Sequence, residues 1–231
     1  MRGLRPALKW AAESGRKYLP EDAARIHPPA TVKRRNRVLS PEELAKLLPT
    51  LRGSDRPYAA GMLFMLLTLC RREEACRARW QDVDFEAGMW TIRETKNGQP
   101  HVVPLSRQAI GFLRERMPAD ANPSALIFCT GTGGPLGNWD RATKALQGKA
   151  GLSGFTRHDL RRTGATMLGD MGELPDIIEA ALDHVSIRSP LAATYNRSRY
   201  RPQVAAALQR LADALDGIEA GGAKVVALHR A

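Results

Sequence analysis

One feature constrains this chain more than any other: an unbroken apolar run from Tyr58 to Cys70 that stops at two arginines, Arg71 and Arg72. The run is shorter than the roughly 20 residues a bilayer crossing requires. It therefore reads as a helix buried on all sides inside a folded domain, with a guanidinium placed where the core ends. A chain of 231 residues can bury such a helix in one sizeable domain and still carry appendages.

The neighbouring segments supply the layers that would cover it. Ser40-Pro41-Glu42-Glu43 is a helix start, with Ser40 as cap, Pro41 in the first turn and Glu43 completing a capping box. The spacing predicts helices over Pro41 to Leu51, Pro57 to Leu69 and Glu74 to Arg79, in a compact domain that begins near Val38. After Trp80 the pattern changes to short β-like runs at Val83 to Phe85, Met89 to Arg93 and His101 to Leu105. Asn97-Gly98 between the last two is a hairpin signal. Helical spacing resumes at Arg107 to Arg116, Asn138 to Lys149, His158 to Leu168 and Pro175 to Leu182. A final amphipathic helix has Val204, Leu208, Leu211 and Leu215 on one face. The expected fold is mainly α with a small three-stranded antiparallel sheet, an α+β arrangement.

Charge narrows the partner class. Lysine and arginine outnumber aspartate and glutamate 35 to 24, a formal net charge of +11; such an excess attracts polyanions, nucleic acid being the commonest, though a basic ribosomal or membrane-surface protein would show the same sign. Met1 to Arg37 alone carries +7, including the run Lys33-Arg34-Arg35-Asn36-Arg37. This N-terminal piece has one short helical pattern, Leu4 to Ala12, and cannot form a core of its own. Cys70, Cys76 and Cys129 make neither an even disulfide framework nor a CxxC metal pair, so they read as reduced core thiols. No secretory signal opens the chain, which sets the expectation of a cytoplasmic, nucleoid-associated location.

Five segments concentrate groups able to handle a phosphate: Thr68-Leu69-Cys70-Arg71-Arg72-Glu73-Glu74, Thr95-Lys96-Asn97-Gly98, His158-Asp159-Leu160-Arg161-Arg162-Thr163, Leu182-Asp183-His184 and Ala193-Thr194-Tyr195-Asn196-Arg197. His158 and Arg161, three apart on one helix, can face one site. Guanidinium groups suit a phosphodiester in transfer, being planar, permanently charged and able to grip two oxygens. A tyrosine with a pKa near 10 is a poor nucleophile unless cations or a base surround it.

In this order and spacing the five segments resemble the catalytic domain of the tyrosine recombinases, the phage integrase family, over about Val38 to Asp216. The resemblance implies that Tyr195 attacks a DNA phosphate to give a 3′-phosphotyrosine and a free 5′-hydroxyl, and that a partner strand reverses the step. It implies that Arg71 and Arg161 clamp the non-bridging oxygens, and that Lys96 protonates the departing 5′ oxygen, reaching the site from the hairpin tip when DNA is bound. His158 would accept the tyrosine proton or bond the phosphate, and His184 would donate a hydrogen bond in the transition state. Neither cofactor, metal nor ATP is called for. The implied partner is double-stranded DNA, bound by a homo-tetramer across two sites with room for accessory DNA-bending proteins; no membrane or small-molecule substrate is implied. Tyr200, the nearest competing tyrosine, is expected to pack or to touch DNA, and His27, His101 and His229 match nothing.

Three departures stand out. Leu69 and Asp183 occupy positions where the family usually has glycine, and Asp183 adds a negative charge beside the site. Glu74, by contrast, matches a family acid near the first arginine and is expected to orient Arg71 or nearby backbone, with an exposed helix carboxylate as the alternative. The N-terminal 37 residues resemble only the last helix of the family's core-binding domain plus a linker, so the chain looks like a fragment or a short recombinase with weak, salt-sensitive DNA binding. Residues 217–231 are expected to form a tail, docking on a neighbouring protomer or disordered. A catalytically impaired DNA-binding remnant, a type IB topoisomerase-like enzyme and a basic RNA-binding or structural protein are the alternative readings.

Overall fold

The computed structural model describes residues 4–13, 18–20, 36–95, 98, 100–183 and 200–221. The chain divides into two compact units, Met1–Asn36 and Arg37–Ala231. In the first, helix α1 spans Leu4–Ala12, and the Trp10 and Tyr18 rings stack with centroids 6.3 Å apart.

The second unit is organised around the apolar run. Helix α3 (Pro57–Thr68) is buried from Ala59 through Thr68, as a helix without a polar face must be. It is packed against α2 (Pro41–Arg52), α4 (Arg72–Arg77), α5 (Arg107–Arg114), α6 (Trp139–Lys149), α7 (Arg157–Asp170) and α9 (Arg201–Glu219). Helix α2 starts at the expected cap: Ser40 Oγ accepts from the Glu43 backbone N–H at 3.3 Å, and Glu43 Oε2 accepts from the Ser40 N–H at 2.9 Å. Helix α9 buries Val204, Leu208, Leu211 and Leu215 as one stripe and continues to Glu219.

The antiparallel sheet runs β1 (Val83–Asp84), β2 (Met89–Ile92), β3 (His101–Pro104) in that order, with Trp90 opposite Val103 and Ile92 opposite His101. Alternation along β2 buries Trp90, whose ring meets Phe64 of α3 edge-on at 4.9 Å. The turn joining β2 to β3 closes with Gly98 N–H donating to Thr95 O at 3.1 Å, and Gly98 has the positive φ of 73° that favours glycine. Helix α8 (Pro175–Ala181) completes the described layers against α7 and α9.

Most elements differ from the sequence expectation by one or two residues at an end, and the two differences that bear on the site flank Arg71. Helix α3 ends at Thr68, because Leu69 takes a left-handed conformation (φ 54°, ψ 21°) and turns the chain out of the helix. Helix α4 then covers Arg72–Arg77 rather than Glu74 to Arg79. Of the three thiols, Cys70 is buried, whereas Cys76 and Cys129 are only half-buried. No helix among the described residues is long and apolar enough to cross a membrane.

Candidate active site

The reversal at Leu69 places Arg71 in extended backbone at the cap position of α4. From there Glu74, one turn on, holds it twice. Glu74 Oε2 accepts from the Arg71 backbone N–H at 2.6 Å, and Glu74 Oε1 accepts from Arg71 Nη1 at 2.7 Å. Glu74 is buried, so of its two expected roles the structure shows the orienting one.

Arg161 comes from the second turn of α7, whose first turn is fixed by Thr156 N–H and Oγ1, each donating to Asp159 Oδ2 at 2.8 Å. Its side chain runs inward, leaving the residue only 4% exposed. Nη1 donates to Leu69 O and Nη2 donates to Leu182 O. Burial, and then the like charge of Arg71, lowers its pKa to about 10, which still leaves it cationic at neutral pH. Arg71 Nη2 donates to the next carbonyl, Asp183 O, at 3.3 Å. Two consecutive carbonyls at the end of α8 thus tie down two guanidinium groups arriving from different helices. Each guanidinium has five N–H donors, so these bonds fix orientation and leave donors for an anion.

The two arginines share a depression of about 210 Å³ with Cys70, Arg72, Thr156, Arg157 and His158. His158 is exposed at its rim on the first turn of α7, where the helix dipole also favours negative charge. A larger depression of about 430 Å³ lies beside it, lined by Arg72, Glu73, Cys76, Arg77 and residues 135–140. It holds neither Arg71 nor Arg161, so the smaller one has the chemistry suited to a phosphate.

Among the expected site residues, Arg71, His158 and Arg161 are therefore brought together. Lys96, His184 and Tyr195 lie outside the described residues. Tyr200 is the residue preceding α9, with φ 46°, and packs against the hydrophobic core. Sequence reasoning missed three neighbours. Arg72 and Arg157 line the depression, Arg157 being braced by Thr143 Oγ1 at 2.8 Å and Asp140 Oδ1 at 2.6 Å. Their adjacency to Arg71 and His158 was the one signal available. His101, on β3, has Nδ1 3.7 Å from Asp183 Oδ1, and nothing in the sequence links those two.

Both departures from the family glycines fall on left-handed backbone, Leu69 at φ 54° and Asp183 at φ 45°. The family's glycine preference has a direct physical reason there. Leu69 O and Leu182 O, at the two turns, are the acceptors that hold Arg161.

The sequence signature of the phage integrase family matches residues 37–201. Prophage integrase IntA of Escherichia coli is 34% identical over 188 residues, which is 79% of this chain and 45% of that protein. The chain thus spans under half the length of that relative. The integrase of mycobacterium phage Brujita superposes with a TM-score of 0.61 at 18% identity, covering 91% of this chain and 69% of that one. A lambda integrase tetramer bound to a Holliday junction gives a TM-score of 0.62 at 20% identity, covering 81% and 58% respectively. With the five segments in register, the α-helical layers around a three-stranded sheet and the family signature across most of its length, the chain belongs to the phage integrase family.

Proposed function

We propose that the chain is the DNA-cleaving and rejoining part of a site-specific recombinase. The observation that carries this reading is the convergence of Arg71 and Arg161 on one depression, each oriented by backbone carbonyls, with His158 at the rim. Preorganised cations of this kind stabilise the charge that spreads over phosphate oxygens during transfer.

The steps follow from that chemistry. Arg71 and Arg161 bind the non-bridging oxygens of a backbone phosphate. Tyr195 attacks the phosphorus, giving up its phenolic proton to His158 or to solvent, and the bond to the 5′ oxygen breaks. Lys96 supplies the proton to that leaving oxygen, worth about 10²–10⁴-fold at such a step. His184 donates to the phosphate in the transition state. The phosphotyrosine keeps the phosphodiester energy, so the 5′-hydroxyl of another strand can reverse the reaction without ATP. Lambda integrase has been seen as a tetramer on a Holliday junction; we extend that arrangement to this chain, with duplex DNA as partner and the N-terminal 37 residues as the last helix and linker of a core-binding domain. Action on DNA in the cytoplasm, at the nucleoid, follows from the same reading.

A library of nicked duplexes with a randomised core, incubated with the protein in EDTA, tests this. Denaturant-resistant protein–DNA adducts enriched for one core sequence are the expected result. No adduct from any sequence would leave a DNA-binding remnant. Relaxation of plasmid without exchanged products would favour a topoisomerase.

A further inference from the structure

Four arginines surround the smaller depression, and the proposed chemistry uses two of them. The described residues that line it include Arg71, Arg72, Arg157 and Arg161 and no carboxylate. The four form two tiers, each with one arginine from the start of α4 and one from α7. Arg71 and Arg161 make the inner tier, oriented by the carbonyls of Asp183, Leu69 and Leu182. Arg72 follows Arg71 directly, and Arg157 stands four residues before Arg161 on α7. That spacing puts Arg157 on the same helix face as Arg161, about 6 Å nearer the helix start. Arg72 and Arg157 make the outer tier, and both act on one carboxyl. Asp140 is held below the usual aspartate range by the hydrogen bond and charge of Arg157, and in smaller part by the charge of Arg72.

The outer pair is also braced, by side chains outside the depression. Arg157 donates from Nη1 to Thr143 Oγ1 at 2.8 Å and from Nη2 to Asp140 Oδ1 at 2.6 Å, and a guanidinium has further N–H donors to spare. Arg72 pairs with Glu73 at the surface and also lines the larger depression, so it stands on the wall between the two. A phosphodiester carries one charge and two non-bridging oxygens, which the inner tier already serves. Two more cations on the same acid-free surface suit a second phosphate. Successive phosphates of a strand rise about 3.4 Å along the duplex, and its rotation adds to their separation, a distance of the same order as the turn between Arg161 and Arg157. We infer that Arg72 and Arg157 form an outer clamp for the backbone phosphate next to the scissile one, and thereby set which phosphate settles on Arg71 and Arg161. Both are positioning residues for the strand. The inference rests on the inner pair taking the scissile phosphate, as proposed above.

The test reads binding, independently of cleavage. A duplex with the core sequence that the protein retains best from the randomised library is made with a single neutral methylphosphonate, moved one phosphate at a time across the core. Fluorescence anisotropy gives affinities for the parent, Arg161→Gln, Arg72→Gln and Arg157→Gln, each first checked for an unchanged fold by circular dichroism. Arg72 pairs with its chain neighbour at the surface, so Arg72→Gln keeps the test decisive if Arg157→Gln unfolds. Each outer variant should bind the unmodified duplex about tenfold more weakly, and its slope of log affinity against log salt should shrink by about 0.9. At one position the methylphosphonate should weaken the parent but not the outer variants further. Arg161→Gln should show the same masking at the immediately neighbouring position. Masking of both tiers at one shared phosphate would overturn the inference, as would no masked position for the outer variants or an unchanged salt slope. If the masking pattern holds and no protein forms an adduct, the cleavage function fails and the outer clamp stands.

Discussion

Arg161 donates from Nη1 to the carbonyl oxygen of Leu69, a residue held in the left-handed region at φ 54°. The buried guanidinium of the candidate site is therefore aimed by the turn that ends the central buried helix.

Leu69 fits only because Gly164 has no side chain. A Cβ at Gly164 would stand 2.4 Å from Leu69 Cδ2 and 3.3 Å from Leu211 Cδ2. Gly164→Ala should cost about 1–3 kcal/mol through overpacking. Leu69→Ala should cost about 2–5 kcal/mol through lost burial and a cavity. Together they should cost at least about 1 kcal/mol less than their sum, since the added methyl fills the vacated space. Urea unfolding of the four proteins measures this, and strict additivity would refute the contact.

Arg161→Lys keeps the charge and loses the fork. Arg161 bonds Leu69 O and Leu182 O through two separate nitrogens, and a lysine, with a single nitrogen at its tip, is expected to keep only one of the two. Leaving one buried carbonyl unpaired should cost about 1–3 kcal/mol, and adduct formation should fall at least about a hundredfold. Thermal unfolding and single-turnover cleavage check both parts. A lysine variant with parental stability and rate would show that the carbonyl clamp is unimportant.

Glu74→Gln tests the aiming of Arg71. The amide can still accept from one Arg71 donor but not hold both the backbone N–H and Nη1 as a charged carboxylate does. Adduct formation should slow by about tenfold or more while affinity for the intact duplex changes little. That split appears in a concentration series of single-turnover rates: the plateau falls and the half-saturation point stays. A shifted half-saturation point with an unchanged plateau would assign Glu74 to DNA binding instead.

Cys70 should be chemically silent although it adjoins Arg71. Burial pushes its thiol up to about 12, so almost no thiolate exists at pH 8, and the thiolate is the reactive form. Brief N-ethylmaleimide treatment followed by peptide mass spectrometry should label half-buried Cys129 before Cys70. Equal labelling in the folded protein would mean that the turn after α3 opens readily.

Much of this architecture was legible in the sequence because local rules and the global fold agree. The Ser40 cap, the apolar α3, the period-2 strands around Gly98 and the Val204-Leu208-Leu211-Leu215 stripe each have one low-energy solution. The end of α3 was not legible, since apolar composition continues through Leu69 and Cys70 while the helix stops at Thr68. Left-handed backbone at a leucine is paid for by tertiary packing, here the space beside Gly164, and local propensity cannot report it. The convergence of Arg71, His158 and Arg161 followed from motif order. The carbonyl clamp did not, because every residue carries a carbonyl and only the fold decides which ones point inward. The Asp183–His101 pairing joins α8 to β3, far apart in sequence, and no spacing rule connects them.

We expect Tyr195 to form the covalent link to DNA. Trypsin cleaves after Arg188 and Arg197, so Tyr195 lies alone on the peptide Ser189 to Arg197, separate from Tyr200. Mass spectrometry of a nuclease-trimmed, trypsin-digested adduct should place the nucleotide on that peptide, linked through a 3′ phosphate, and Tyr195→Phe should yield no adduct. A nucleotide found on the peptide carrying Tyr200, or an adduct that survives Tyr195→Phe, would contradict the account.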